Sequence, residues 1–135
     1  MYLLDTNICI YAIKNKPESV LMKIKEKSRN GIFISSLTIA ELEYGVQNSI
    51  NIESNGIALL KFVSIFNILN FDDMDAIPYG KLKVKLRKEG KAIGPIDMLL
   101  AGQAISKDLI LVTNNTKEFM RIPELCIEDW LTENN

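Results

Sequence analysis

The alternation of short apolar runs with longer amphipathic stretches is the sequence feature that most constrains the fold. Strand-like apolar runs occupy residues 2–4, 32–34, 68–71, 109–112 and, more weakly, 125–127. Helices are predicted between them, over residues 8–13, 20–29, 36–45, 57–66, 74–89 and 96–106, bounded by capping residues, glycines and prolines. Strands that are separated by helices pair in parallel. We therefore predict an α/β protein with three α/β/α layers around a mainly parallel sheet of four to five strands.

The chain is predicted to fold as one domain that spans residues 1–135. This length suits a single domain, and no linker, repeat or low-complexity tract divides the chain. No segment approaches the roughly 18 uninterrupted apolar residues of a membrane span, and no secretion signal is evident. Cys9 and Cys126 lie far apart in the sequence and form no paired motif. These features favour a cytoplasmic protein that does not contact a membrane.

The chain contains no histidine. This absence excludes Ser-His-Asp catalysis, Cys-His catalysis and histidine-ligated zinc. An enzymatic activity would therefore depend on carboxylates, hydroxyls, amides or lysine.

The charges nearly cancel, since sixteen Lys and Arg residues oppose seventeen Asp and Glu residues, but they are unevenly placed. Residues 14–29 contain six basic and two acidic side chains, and residues 81–91 contain six basic and one acidic. The stretch 124–135 contains four acids and no base. The two basic segments are either solvated helix faces or surfaces that bind a polyanion, and charge alone does not decide between them.

Four acidic side chains are predicted to meet at one edge of the sheet. Asp5 follows the first strand, Glu41 lies in the helix after the second strand, Asp97 begins the penultimate helix, and Glu118 follows the fourth strand. Each has an ordinary interpretation, as a helix cap, a solvated residue, a first-turn acid or a loop residue. Their shared location at the carboxyl ends of parallel strands, where open α/β sheets bind ligands, favours a functional site.

Carboxylates that converge in this way repel one another, and a hard divalent cation relieves the repulsion. Oxygen ligands without His or Cys select Mg²⁺, for which Mn²⁺ can substitute, over zinc. A metal-activated water can then attack a phosphate while the ion offsets the charge that develops. With basic segments nearby, the expected substrate is a phosphodiester.

Five segments carry a resemblance to a known family. They are Asp5-Thr6-Asn7, residues 38–45 (TIAELEYG), residues 93–101 (IGPIDMLLA), residues 111–119 (LVTNNTKEF) and residues 122–130 (IPELCIEDW). In order and spacing they resemble the motifs of PIN-domain toxins of the VapC type. Each motif alone is weak, whereas the ordered set covers nearly the whole chain and is specific.

The resemblance implies a Mg²⁺-dependent endoribonuclease toxin of a type II toxin–antitoxin system. Relatives cleave RNA, often structured RNA such as transfer RNA. A VapB-type antitoxin protein is expected to inhibit the toxin, and family members commonly form homodimers.

The resemblance also assigns the site. Catalytic roles fall to four acids, which are Asp5, Glu41, Asp97 and Glu118, and the metal ligands are Asp5 and Asp97. Supporting roles fall to Thr6, Thr113 and Asn115. Some PIN domains carry an aspartate where Asn115 stands, so Asn115 and Glu118 are alternatives for the fourth member, and Glu118 is preferred.

Two surfaces are expected to contact partners. Basic residues of the second charged segment, namely Lys85, Arg87 and Lys91, are expected to bind the RNA backbone. The helix after the second strand carries Leu37, Ile39, Leu42, Tyr44 and Val46, which are more apolar residues than one buried face requires. This helix either packs wholly in the core or forms a groove for an antitoxin helix.

Two other classes of protein stay open on the sequence. A receiver-like α/β domain also places acids at strand ends, but it requires an acidic pair after the first strand and a lysine after the fifth, which this chain lacks. A non-enzymatic RNA-binding domain would tolerate loss of the carboxylates. Metal-dependent cleavage of RNA would separate a nuclease from both.

Overall fold

The computed structural model describes residues 1–131, in which five strands form one sheet. The strands are β1 (Tyr2–Leu4), β2 (Ile32–Ser35), β3 (Asn67–Leu69), β4 (Ile110–Val112) and β5 (Ile127–Glu128). The helices are α1 (Thr6–Lys14), α2 (Glu18–Lys27), α3 (Ser36–Gln47), α4 (Ile52–Val63), α5 (Asp73–Lys88), α6 (Pro95–Ser106) and α7 (Thr116–Phe119), and a 3-10 turn (Ser28–Asn30) follows α2. The strand order is β3-β2-β1-β4-β5, and every pairing is parallel. The predicted α/β class and parallel sheet are confirmed.

Side chains on the two faces of the sheet build two separate cores. Tyr2 and Leu4 of the central strand lie in one core, and Leu3 lies in the other. Helices α1 to α4 contribute to the first core, and α5 to α7 contribute to the second. A strand buried on both faces needs apolar residues at every position, which explains the uninterrupted run at residues 2–4. The three-layer arrangement is confirmed.

Several element boundaries differ from the sequence prediction. Helix α4 begins at Ile52 rather than at residue 57. The sequence pattern missed its first turns because they are exposed, and the first buried side chain of the helix is Leu59. Strand β3 ends at Leu69 rather than at residue 71, and β5 begins at Ile127, since Leu125 packs in the second core before the pairing starts. Helix α7 was predicted as a loop, because four residues are too short to show a helical period.

Helices α5 and α6 are held together by a close backbone approach and by a partly buried ion pair. A Cβ atom added at Gly102 would lie 2.8 Å from Tyr79 Cβ and 2.9 Å from Tyr79 Cα. Lys107 Nζ lies 2.7 Å from Asp72 Oδ2 and 3.1 Å from Oδ1 of the buried Asp75. These contacts set the position of α6, whose first turn lies at the carboxyl edge of the sheet.

The end of the described chain returns to the first strand. Trp130 is 2% exposed and packs edge-on against Tyr2, with 5.0 Å between ring centroids. Residues 132–135 of the predicted domain lie outside the described residues. Within residues 1–131, no helix combines the length and the apolar character needed to cross a membrane.

Candidate active site

The structure brings together the four acids that the sequence singled out. Asp5 directly follows β1, and its N–H donates to Val112 O at 3.0 Å, which extends the β1–β4 ladder by one residue. Glu41 lies in α3, Asp97 in the first turn of α6, and Glu118 in α7. The charges of the other three acids all raise the Asp97 pKa, so the four carboxylates lie within electrostatic reach of one another.

Asp5 is both a helix cap and a buried member of the acid group. It is 4% exposed, and its Oδ1 accepts the Ile8 N–H at 2.9 Å. Burial is the main cause that raises the Asp5 pKa. Hydrogen bonds from the Thr113 hydroxyl and the Ile8 N–H lower this pKa, and the charges of Glu41 and Asp129 raise it. The cap uses one carboxylate oxygen, so the structural and functional interpretations of Asp5 are compatible.

Asp97 shows the largest effect of the mutual repulsion. Burial raises its pKa to about 6, with further contributions from the charges of Asp5, Glu118 and Glu41. The residue stands in a first turn whose N-cap, Gly94, offers no side chain. The helix dipole favours the ionised acid there, but burial and three nearby negative charges oppose ionisation.

Neutral donors hold the two outer acids. The Thr6 hydroxyl donates to Glu41 Oε1, and Asn115 Nδ2 donates to Glu118 Oε2 at 2.6 Å. Neither donor cancels the charge of the carboxylate that it binds. Within residues 1–131, none of the four acids forms a salt bridge with Lys or Arg.

Thr113 lies buried between these groups. It is 0% exposed, and its Oγ1 accepts the Asn115 N–H at 2.9 Å. All three residues that the resemblance assigned to supporting positions therefore contact an acid of the site or lie hydrogen-bonded beside one.

Asp129 belongs to the same edge and was missed from the sequence. The Thr113 N–H donates to Glu128 O at 2.9 Å, so the β4–β5 ladder continues to the residue before Asp129. The charge of Asp129 raises the Asp5 pKa. The available signal was an acid directly after the last strand. It was missed because the strand was predicted at residues 125–127, whereas β5 spans Ile127–Glu128.

The donor chemistry of the site fits a hard cation. Its side chains offer carboxylate, hydroxyl and amide oxygens, which suit Mg²⁺ or Mn²⁺ rather than zinc. Among residues 1–131, no three Asp, Glu or Cys side chains are arranged to hold a metal ion by themselves. Magnesium keeps several waters and is bound by one or two carboxylates, so it does not need a cage of three protein ligands.

Comparison with known proteins identifies the family. The PIN domain family model matches residues 2–125. The chain belongs to the PIN domain family. This PIN domain is 41% identical over 129 residues to the tRNA(fMet)-specific endonuclease VapC of Salmonella typhimurium, which covers 96% of this chain and 97% of the relative. It is 44% identical over 131 residues to ribonuclease VapC2 of Rickettsia felis, which covers 96% of this chain and 98% of the relative.

A solved structure has the same fold. The crystal structure of VapBC2 from Rickettsia felis bound to a DNA fragment from their promoter matches this PIN domain with a TM-score of 0.92 and 43% identity, covering 96% of this chain and 98% of that chain. The resemblance to VapC-type PIN domains is confirmed.

An apolar groove of about 380 Å³ adjoins the acids of this PIN domain, between α1, α3 and α4. Ile10 and Ile13 line it from α1, and Leu42 and Val46 line it from α3. Leu42 and Val46 also pack in the first core, so α3 contributes side chains both to the core and to the lining of the groove. Glu41 lines the groove and belongs to the acid group, which means that the groove opens beside the carboxylates.

The predicted RNA-binding cations lie on α5 and in the loop that follows it. Lys85, Arg87 and Lys91 are all exposed. Lys85 Nζ lies 3.2 Å from Glu124 Oε1 in a surface ion pair. Arg87 is in the last turn of α5, and Lys91 is in the loop that leads to the first turn of α6, where Asp97 lies.

Proposed function

We propose that this PIN domain is a Mg²⁺-dependent endoribonuclease and the toxin of a VapBC toxin–antitoxin pair. The observation that carries the proposal is the group of acids at one sheet edge, where burial and the charges of the other three acids raise the Asp97 pKa to about 6 and no acid of the group has a Lys or Arg partner within residues 1–131. A divalent cation would relieve the repulsion within this group. Relatives at 41% and 44% identity are named an endonuclease and a ribonuclease.

In this proposal Asp5 and Asp97 bind Mg²⁺, and Mn²⁺ substitutes for it. The bound ion supplies positive charge beside the phosphate and activates water. Glu41 and Glu118 accept hydrogen bonds from water and orient it toward the phosphorus. The neutral donors that contact these two acids keep them in place without removing their charge.

We propose that the RNA backbone crosses the C-terminal end of α5. The three exposed cations Lys85, Arg87 and Lys91 lie on the segment that leads into α6, and phosphate contacts of this kind position a nucleic acid without reading its sequence. Arg87→Glu is expected to weaken RNA binding. It is also expected to reduce the slope of log K against log salt concentration by about 1, the value for one phosphate contact. Lys61→Glu, which reverses the charge of an exposed lysine of α4 outside both basic segments, is the matched control. Unchanged RNA affinity in Arg87→Glu would remove α5 from the binding surface.

Transfer RNA is the substrate class that we propose. The Salmonella relative is named for tRNA(fMet), and it covers nearly the whole chain. Substrate and antitoxin would both be met in the cytoplasm, which is the proposed location.

The catalytic proposal is tested with the purified full-length chain, total transfer RNA and Mg²⁺. Asp5→Asn and Asp97→Asn are expected to abolish cleavage, because each removes a proposed ligand while retaining the shape of the side chain. Asp73→Asn, which alters an exposed first-turn acid of α5, is expected to cleave like the parent. Cleavage by Asp97→Asn at the parental rate would refute the site. Binding of RNA without any cleavage in Mg²⁺ or Mn²⁺ would favour a non-enzymatic RNA-binding domain.

We propose that the groove beside Glu41 binds an apolar helix of a VapB-type antitoxin. Its lining is largely apolar, and it leads to the acid group, so an occupant of the groove would reach the site. Ala58→Arg, which places a long side chain in the groove, is expected to reduce inhibition by the cognate antitoxin relative to the cleavage rate of the same variant. Ser54→Arg, at an exposed position of α4 that does not line the groove, is the matched control. Equal inhibition of both variants would place the antitoxin elsewhere.

We also propose that the toxin is a homodimer. Ile57, Leu60 and Ile68 are large apolar side chains that are at least 48% exposed in the isolated chain. Exposed apolar side chains of this kind are a feature of protein interfaces. The mass measured by light scattering on the purified chain would show whether it is a dimer or a monomer.

A further inference from the structure

We propose that Asn115 is a positioning residue that joins Glu118 and Asp5 in one hydrogen-bonded unit, and that it must be a neutral amide to do so. The inference rests on the proposed function, because it assigns a role within the same site. It also explains why this PIN domain combines an asparagine at 115 with a glutamate at 118.

The two ends of Asn115 bond to different parts of the site. Its Nδ2 donates to Glu118 Oε2 at 2.6 Å, and its backbone N–H donates to Thr113 Oγ1 at 2.9 Å. A hydroxyl has a single proton, which Thr113 therefore retains for another acceptor. The Asp5 carboxylate receives that hydrogen bond. One residue thus links the acid after β1 to the acid in α7.

The side chain of Asn115 does not cap helix α7, although Asn115 is the N-cap residue. Asn115 is the N-cap and Glu118 is the third helical residue, which is the spacing of a capping box. Asparagine is among the preferred N-caps, where its side-chain oxygen accepts a backbone N–H. Here the side chain makes no cap hydrogen bond and donates to the carboxylate of Glu118 instead. Helix capping therefore does not account for the orientation of this amide.

The geometry requires a donor at this position. The distance of 2.6 Å from Asn115 Nδ2 to Glu118 Oε2 is slightly shorter than the roughly 2.7–2.9 Å of a charge-assisted N–H···O⁻ hydrogen bond. An aspartate at 115 would place a second carboxylate beside Glu118 without a proton between them, and repulsion would move the glutamate. An aspartate at 115 and a glutamate at 118 are thus alternatives that do not coexist in this arrangement.

An exchange of donor and acceptor tests the pair. The full-length chain is compared with Asn115→Asp, with Glu118→Gln, and with the double variant that carries both changes. The double variant conserves the net charge and again pairs one amide with one carboxylate, with their positions exchanged. Asn114→Asp adds the same charge at the neighbouring residue, whose amide instead contacts the Tyr11 hydroxyl at 3.4 Å, and is the matched control.

Cleavage of transfer RNA in Mg²⁺ is the first measurement. Asn115→Asp is expected to lower kcat about tenfold to hundredfold with little change in KM, because a charge-assisted hydrogen bond is lost and Glu118 moves. Because Glu118 itself is proposed to orient water, Glu118→Gln alone is expected to be slow, and the double variant is expected to be no slower than Glu118→Gln, since Asn115 acts only through Glu118. The inference is overturned if Asn115→Asp retains the parental kcat, if its loss adds in full to that of Glu118→Gln in the double variant, or if Asn114→Asp loses as much.

A second measurement does not require activity. In ¹H–¹⁵N spectra of the RNA-free chain, one Nδ2 proton of Asn115 is expected to be shifted downfield and protected from exchange, and Glu118→Gln is expected to remove both features. If the parent cleaves no RNA but these signals behave as expected, the proposed function fails while the Asn115–Glu118 unit stands. If the parent cleaves RNA and Glu118→Gln leaves the Asn115 signals unchanged, the Asn115–Glu118 unit is refuted while the proposed function stands.

Discussion

Replacing Asp97 with asparagine is expected to stabilise the metal-free protein at neutral pH, although the same change is expected to abolish cleavage. Asp97 lies partly buried beside three other acids, and burial together with their charges raises its pKa from 3.8 to about 6. Asparagine has nearly the same shape and no charge. The variant therefore removes the repulsion and retains the packing of α6.

The magnitude follows from the raised pKa. Each pKa unit corresponds to about 1.4 kcal/mol, so the full rise from 3.8 to about 6 would cost the folded state about 3 kcal/mol. Solvent screening at this partly exposed group reduces the cost to about 1.5 kcal/mol. The variant also loses the interaction of a first-turn acid with the helix dipole, worth about 0.5 kcal/mol. The expected net gain is about 1 kcal/mol, or about 3–5 °C in Tm.

The gain depends on pH in a defined direction. The Asp97 pKa is higher in the folded chain than in the unfolded chain, so the folded chain binds the proton more tightly. The cost to stability is complete above the folded pKa, near 6, and disappears below the ordinary value of 3.8. The advantage of Asp97→Asn over the parent should therefore be largest near neutral pH and should shrink as the pH falls through 6 toward 4.

Urea denaturation followed by circular dichroism, in EDTA and at several pH values, measures this difference. Asp73→Asn removes an exposed first-turn acid of α5 and is the matched control, which is expected to lose about 0.5 kcal/mol. Addition of Mg²⁺ should stabilise the parent and not Asp97→Asn, because the ion relieves the repulsion that the variant already lacks. If Asp97→Asn is destabilised like Asp73→Asn, with no change between neutral and acidic pH, the repulsion inferred from the structure does not exist.

Two further predictions concern the contacts that position α6. Gly102→Ala should destabilise the protein by about 1–3 kcal/mol, because its Cβ would meet the Tyr79 backbone, whereas Gly80→Ala, with open space around it, should gain about 0.5–1 kcal/mol. Lys107→Met should destabilise the protein more than Lys85→Met, because it removes the cation beside the buried carboxylate of Asp75, whereas Lys85→Met removes only a surface ion pair. Urea denaturation measures both pairs, and equal effects within either pair would contradict the packing or burial inferred here.

The sheet and its acidic edge could be predicted because both follow from local sequence patterns. The three buried positions of Tyr2–Leu4 require an apolar run, and an acid that directly follows such a run must lie at a strand end. Asp5 and Asp97 could be placed in this way from a strand and a helix start alone. The groove could not, because α1, α3 and α4 form it jointly, and no single segment carries a signal for the space between three helices.

The contact between Asn115 and Glu118 could not be predicted, because the local sequence pattern is compatible with two arrangements of these side chains. Asn115 and Glu118 have the spacing of a capping box, and a capping box would have satisfied helix α7 while leaving the acids after β1 and β4 unlinked. The choice between the two arrangements is made by Thr113, whose buried hydroxyl accepts the backbone N–H of Asn115. That hydroxyl is placed by the pairing of β4 with β1 and β5, which are far from it in sequence. The amide of Asn115 is therefore directed toward Glu118 by tertiary contacts, and only a three-dimensional structure could reveal that a residue suited to capping a helix instead supports the acids.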